Sequence, residues 1–111
     1  MAILDNADRA TIDVRKFKEY LLNPSSEKGA HKARVFQAAL GYTRLNCLDL
    51  IEAIRQGIMT NDAVFVREDR YGRHYRVEMT ITGPKGSALV ATGWIFDRGG
   101  DVPRLTTAFV P

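Results

Sequence analysis

The sequence predicts an α+β domain in which about three N-terminal helices pack on one face of a four-stranded antiparallel β-meander. Three observations carry this. Apolar residues of the first half recur at helical spacing; after about residue 62 the period changes to alternation; and the segments between the alternating runs are too short for a crossover helix, so consecutive strands pair as antiparallel neighbours. A chain of 111 residues suffices for one core and not for two. Its 45% hydrophobic and 26% charged residues match a folded globular protein.

Residues 1–12 show no period and read as a loose lead-in to a single domain over 13–111. In IDVRKFKEYLLNP, Asp13 caps a helix whose apolar positions Val14, Phe17, Leu21 and Leu22 share a face, and Asn23-Pro24 ends it. In SSEKGAHKARVFQAALG, Ser25 or Ser26 is the expected cap, Ala33, Phe36, Ala39 and Leu40 form the core stripe, and Gly41 terminates. The third helix, NCLDLIEAIRQG, has two readings of its buried side: Leu45, Leu48, Ile51 and Ile54, or Cys47, Leu50 and Ile54, with Gly57 as the stop. Its Cys47 is the only cysteine, which excludes an intrachain disulfide, and its apolar neighbours predict a buried structural thiol.

AVFVRE, HYRVEMTIT, SALVATGWIF and PRLTTAFV are the expected strands. The second places Tyr75, Val77, Met79 and Ile81 on one face and His74, Arg76, Glu78 and Thr80 on the other. Helices cover one face, which leaves the other for solvent or ligand. Trp94 joins either face, depending on the register across Gly83-Pro84-Lys85-Gly86: in the core beside Tyr75, or on the open face beside Arg76 and free to stack on a base.

Sixteen Lys and Arg against thirteen Asp and Glu leave a net charge of only +3, so distribution matters more than total. Lys28, His31, Lys32 and Arg34 fall in one helical segment, and Arg67, Arg70, Arg73, His74 and Arg76 surround a turn. Each cluster reads equally as a solvated face or as a phosphate-binding one. No apolar run approaches membrane-spanning length, and the first residues lack the basic-then-apolar order of a signal peptide, which predicts a soluble, intracellular chain.

No Cys or His pair has metal-ligand spacing, and no Gly-rich nucleotide loop or nucleophile elbow is present. No cofactor is expected. These residues suit a reaction that needs a base, cations and hydroxyls, and RNA cleavage is such a reaction because RNA carries its own nucleophile. A base takes the proton of the 2'-hydroxyl, which attacks the adjacent phosphorus while Lys or Arg stabilises the phosphoryl charge. His31 or His74 serves as base or acid in this scheme, with Lys32, Arg34 and Arg104 on phosphate, Thr106 and Thr107 hydrogen-bonded to it, and Tyr71 and Tyr75 stacking or relaying a proton. Each also has an ordinary role: His31 at a helix surface, the threonines as strand residues.

The segments LLNPSSEKGAHKARVFQAALGY, RYGRHYRVEMTITGPKG and ATGWIFDRGGDVPRLTTAFV resemble a bacterial domain family of unassigned function, found as small free-standing proteins and as the C-terminal tip of contact-dependent or polymorphic toxins. The most specific pieces are Lys32-Ala33-Arg34, Tyr71-Gly72, Gly93-Trp94-Ile95 and Pro103-Arg104-Leu105-Thr106-Thr107. The element order also resembles the ribonuclease superfamily of barnase, EndoU, the tRNA-cutting colicins and RelE. These resemblances imply a metal-independent endoribonuclease toxin, with tRNA as substrate and a cognate acidic immunity protein or antitoxin as partner. They also imply delivery as the tip of a larger secreted protein. Within the family pattern, Lys32, Tyr71, Trp94, Arg104 and Thr107 carry more weight than His31, so the general base stays open. Two other classes compete: a non-catalytic RNA- or protein-binding module on the same basic face, and an effector acting on a nucleotide or on DNA.

Overall fold

The computed structural model describes residues 2–27 and 29–111; Lys28, one of the expected phosphate contacts, lies outside them. Among the described residues, helices precede an antiparallel sheet of four strands in the order β1-β2-β3-β4, the α+β meander that the change of period predicts.

Asp13 starts helix α1, Val14–Lys16, its Oδ1 accepting the Arg15 amide at 2.9 Å. The next residues, Phe17–Leu21, widen into a π-helical turn in which the Leu22 amide reaches the Phe17 carbonyl at 2.8 Å. Phe17 and Leu21 are fully buried there, so the wider turn keeps both on the core side. Helix α2, Ala30–Leu40, begins later than the serines suggest, because Gly29 must pass Tyr20: a Cβ on Gly29 would lie 1.9 Å from the Tyr20 carbonyl oxygen. Ser26 still contributes, its Oγ accepting the Gly29 amide at 3.2 Å. Gly41 ends α2 at φ 81, with its amide on the Phe36 and Gln37 carbonyls.

A capping box of Thr43 and Asn46 leads into α3, Cys47–Ile58. Cys47, Leu50, Ile51, Ile54 and Ile58 are buried, whereas Leu45 is 99% and Leu48 61% exposed. The stripe through Cys47 is therefore the core stripe, and the alternative through Leu45 and Leu48 is corrected. Gly57 lies within the helix as a close-packing point: a Cβ there would come 2.2 Å from the Met79 sulfur.

Strands β1 (Ala63–Asp69), β2 (Gly72–Gly83), β3 (Gly86–Asp97) and β4 (Arg104–Phe109) follow as hairpins. Val77, Met79 and Ile81 are buried on the helix face, and His74, Arg76, Glu78 and Thr80 lie on the open one, as the alternation requires. Gly83 pairs with Gly86, so Pro84 and Lys85 alone make the turn, and counting back along that ladder sets Trp94 opposite Tyr75. Trp94 is fully buried. Its indole Nε1 donates to Thr92 Oγ1 at 2.8 Å, and that hydroxyl donates to the Val77 carbonyl at 2.7 Å. Of the two placements the register left open for Trp94, the core one holds and its role as an RNA-stacking residue is corrected: the two-residue turn fixes the register that seals it in the core.

The lead-in is packed. Leu4, Ala7 and Ala10 are core residues, Thr11 makes a parallel bridge to Arg104, and the Ala2 carbonyl accepts the Ala63 amide at 2.7 Å. Cys47 is a buried free thiol, as expected. No described helix is long and apolar enough to cross a membrane.

Candidate functional site

Two breaks in the sheet's regularity shape its open face. In β1 the pairing passes from Phe65–Tyr75 to Arg67–His74, leaving Val66 as an extra residue. In β4 it passes from Gly93–Thr107 to Trp94–Leu105, leaving Thr106 extra. Consecutive strand residues normally point to opposite faces, and a bulge breaks that rule. A Cβ built on Gly93 would lie 2.9 Å from Thr106 Oγ1 and 3.1 Å from Thr107 Cγ2. Both threonine side chains thus lean over Gly93, which has room for them only because it has no side chain.

The result is a groove of about 270 Å³ across the open face, lined by Arg67, His74 and Arg76 from β1 and β2, by Gly93, and by Thr106, Thr107 and Phe109 from β4. Lys32 stands at its rim from α2, its Nζ donating to Thr107 Oγ1 at 3.0 Å and lying 5.4 Å from the centre of the Phe109 ring. Arg76 approaches the same ring at 5.5 Å and pairs with Glu78 at 2.8 Å. Two cations from distant parts of the chain therefore flank one aromatic ring beside two hydroxyls.

His74 is largely buried, and its Nε2 lies 2.9 Å from Asp69 Oδ2. Asp69 Oδ1 accepts the amides of Tyr71 (2.9 Å) and Gly72 (3.2 Å), and Arg67 Nε is 3.5 Å from Oδ2. Partial burial pushes the Asp69 carboxyl up, but the Tyr71 amide, the His74 ring and the Gly72 amide together hold it below the ordinary carboxylate value. An ionised carboxylate fixed to the turn thus orients the imidazole from one nitrogen.

Tyr75 and Trp94 also line the groove from the sheet, whereas the other expected residues stand apart from it. His31 and Arg34 are exposed on α2. Tyr71 is 59% exposed at the β1–β2 turn, where Arg70 donates to its hydroxyl at 2.8 Å; a step of five residues along the chain to Arg76 puts it about 16 Å along the strand from the threonines. Arg73 lies over the Phe96 ring at 5.2 Å. Arg104 is held by Asp97 through both Nε (3.1 Å) and Nη2 (2.9 Å). That fork-on-carboxylate bond is the main reason Asp97 is held below, and Arg104 above, its ordinary pKa. Of the expected set, Lys32, Thr106, Thr107, His74 and Arg76 converge, and Arg67 of the second basic cluster is with them; Gly93, Phe109 and Asp69 join them unannounced. Asp69 had a local signal, since its spacing to His74 across Tyr71-Gly72 is that of a tight turn.

Chemically, the groove offers an ammonium and a guanidinium for an anion, two hydroxyls, and an imidazole with a carboxylate behind it. Among the described residues, no group of three or more His, Cys, Asp or Glu side chains could hold a metal ion.

A family model described as "Domain of unknown function (DUF6883)" matches residues 3–111, and the chain belongs to that family. Among solved structures, a chain of the contact-dependent growth inhibition toxin–immunity protein complex from Klebsiella pneumoniae 342 has the same fold. The TM-score is 0.71 with 19% sequence identity, over 90% of this chain and 98% of that chain. Among curated proteins none matches the chain at a significant level.

Proposed function

We propose that this member of the DUF6883 family is a toxin domain that cleaves RNA through 2'-hydroxyl attack, and that a cognate immunity protein neutralises it. The observation that carries the reading is the convergence of Thr107, Arg76 and the Asp69-held His74 on one groove, with Lys32 bonded to Thr107 at its rim. Fold likeness to a chain of a toxin–immunity complex supports the toxin setting. The resemblance noted from the sequence adds tRNA as the substrate class and the bacterial cytoplasm as the place of action, after delivery as the tip of a larger protein.

In this mechanism His74 takes the proton of the 2'-hydroxyl. The new bond joins O2' to phosphorus, the bond from phosphorus to O5' breaks, and the leaving oxygen takes a proton from solvent, giving a 2',3'-cyclic phosphate and a 5'-hydroxyl. Lys32 and Arg76 face the charge that grows on the non-bridging oxygens. Thr107 accepts its hydrogen bond from Lys32, so its own proton is free to point at a phosphate oxygen. An immunity protein facing this groove would carry acidic residues, because complementary potential speeds capture.

Incubation of the purified protein with total RNA in a metal chelator is the test. Discrete fragments ending in cyclic phosphate are expected, with tRNA the first pool to disappear. RNA that is bound but recovered intact would make the groove a non-catalytic binding face instead.

A further inference from the structure

We infer that the outer side of β4 holds a second phosphate subsite built on Lys16, so that the substrate is single-stranded RNA whose backbone crosses the edge of the sheet at Thr106 and Thr107. This deepens the ribonuclease reading and rests on it.

A second groove, of about 680 Å³, opens on the outer side of β4, and Thr106, Thr107 and Lys32 line it together with Lys16 and Tyr20. Both threonines also wall the open-face groove, which makes the bulge a low lip shared by two hollows. Lys16 Nζ donates to the Thr106 carbonyl at 3.1 Å, just as Lys32 donates to the Thr107 hydroxyl. Two ammonium groups from two helices therefore meet consecutive residues, whose Cα atoms are about 3.8 Å apart.

Each ammonium has three donors. One contact to the lip leaves two on each for phosphate oxygens, so the outer groove that both lysines line can hold one phosphate while Arg76 meets a neighbouring phosphate of the same strand on the open face. Carboxylates temper the outer groove: Asp13 and Glu19 also line it, and Asp13 Oδ1 lies 3.6 Å from Arg15 Nε. Lys16 is thus left, together with Lys32, to meet a phosphate there. Tyr20, half-buried in the groove wall, gives a flat surface for a base. A duplex carries its backbone on a stiff rod, whereas a loop or a free strand can bend over a lip of this kind.

Lys16→Gln is to be compared with the wild type on two RNAs: a dinucleotide with one cleavable linkage, and a pentanucleotide extended on both sides of it. Wild-type kcat/KM is expected to rise about 10-fold or more with extension, a gain the variant loses as the ratio between the two substrates collapses. Equal-fold losses on both RNAs would mean that Lys16 acts by holding the Thr106 carbonyl, and would overturn the subsite; so would a wild-type enzyme indifferent to length. Cleavage of neither RNA by the wild type would count against the ribonuclease reading instead. Binding then decides the subsite: the slope of log affinity against log salt for the pentanucleotide should fall by about 0.7 in Lys16→Gln, the loss of one single-strand contact. An unchanged slope overturns the proposal. Circular dichroism and thermal melting of the variant establish that it is folded.

Discussion

The Lys32 ammonium stands 3.0 Å from Thr107 Oγ1, a hydrogen bond between residues 75 positions apart that ties the first turns of α2 to the last strand. A surface lysine that merely solvates a helix has no reason to be held so, beside an aromatic ring and a second threonine. Lys32→Ala removes both the donor and its charge, and RNA cleavage is expected to fall by about 10²-fold or more. Thr107→Val should fall to a similar level, and the double variant little further, because the two groups act as a unit. Thermal melting should move little, since the contact is only partly buried.

His74 and Asp69 make a separable pair. Asp69→Asn keeps the shape but removes the ionised acceptor that orients the ring, and cleavage should drop while RNA binding stays close to wild type. His74→Ala should abolish the alkaline rise expected of a general base in the pH–rate profile. A His74→Ala variant with the wild-type profile would remove that residue from the chemistry.

The acid stability of the fold follows from two carboxyls. Asp97, bonded to Arg104, and Asp69 are both held below the ordinary value of about 3.9. Their folded-state pKa values are depressed, so their stabilisation is present above the unfolded-state value and is lost as pH falls through the folded one. Asp97→Asn should lower Tm slightly at neutral pH, the side chains of that pair being about half exposed. The gap from wild type should close in melts taken between about pH 6 and pH 2. A gap independent of pH would refute the assignment.

Gly93→Ala places a methyl group 2.9 Å from Thr106 Oγ1 and 3.1 Å from Thr107 Cγ2. Displacement of the two threonines should reduce cleavage well beyond any change in Tm, which an activity assay and a melt on the same preparation would reveal.

Trp94 and the two stripes of α3 give a folding control. Trp94→Ala should cost about 3–5 kcal/mol, and Leu50→Ala about 2–5 kcal/mol, as losses from a tight core. Leu48→Gln, on the exposed side, should stay within about 0.5 kcal/mol. Urea titrations measure all three.

The architecture was legible because periods of 3.6 and 2 are properties of neighbouring residues. Asp13 and Gly41 announce a start and a stop in their own side chains or lack of them. The ambiguity in α3 arose because Leu45 and Leu48 are as apolar as Cys47 and Leu50; only the approach of the helix to the sheet, set by Gly57 against Met79, decides between them. Trp94 turned on whether two or more residues make the turn at Pro84-Lys85, a one-residue matter that reverses a whole face. The site was legible in residue type at Lys32, Thr106, Thr107, His74 and Arg76. The bulge at Thr106 was not, since nothing in Leu-Thr-Thr-Ala distinguishes alternating threonines from two that share a side. Lys16 was hidden for a related reason: its helix shows its apolar stripe in the sequence, while the partner of its charged face lies 90 residues away.

If the domain is delivered as proposed, its single thiol, Cys47, has a bearing on how it travels. No disulfide within the chain can form, so nothing covalent has to be cut before such a domain is unfolded and drawn through a narrow passage. Nor can an oxidising compartment on the far side trap it in a misjoined loop, because one sulfur has no internal partner. Refolding at the destination then needs no thiol chemistry, only the burial of the same side chains around α3 and the sheet.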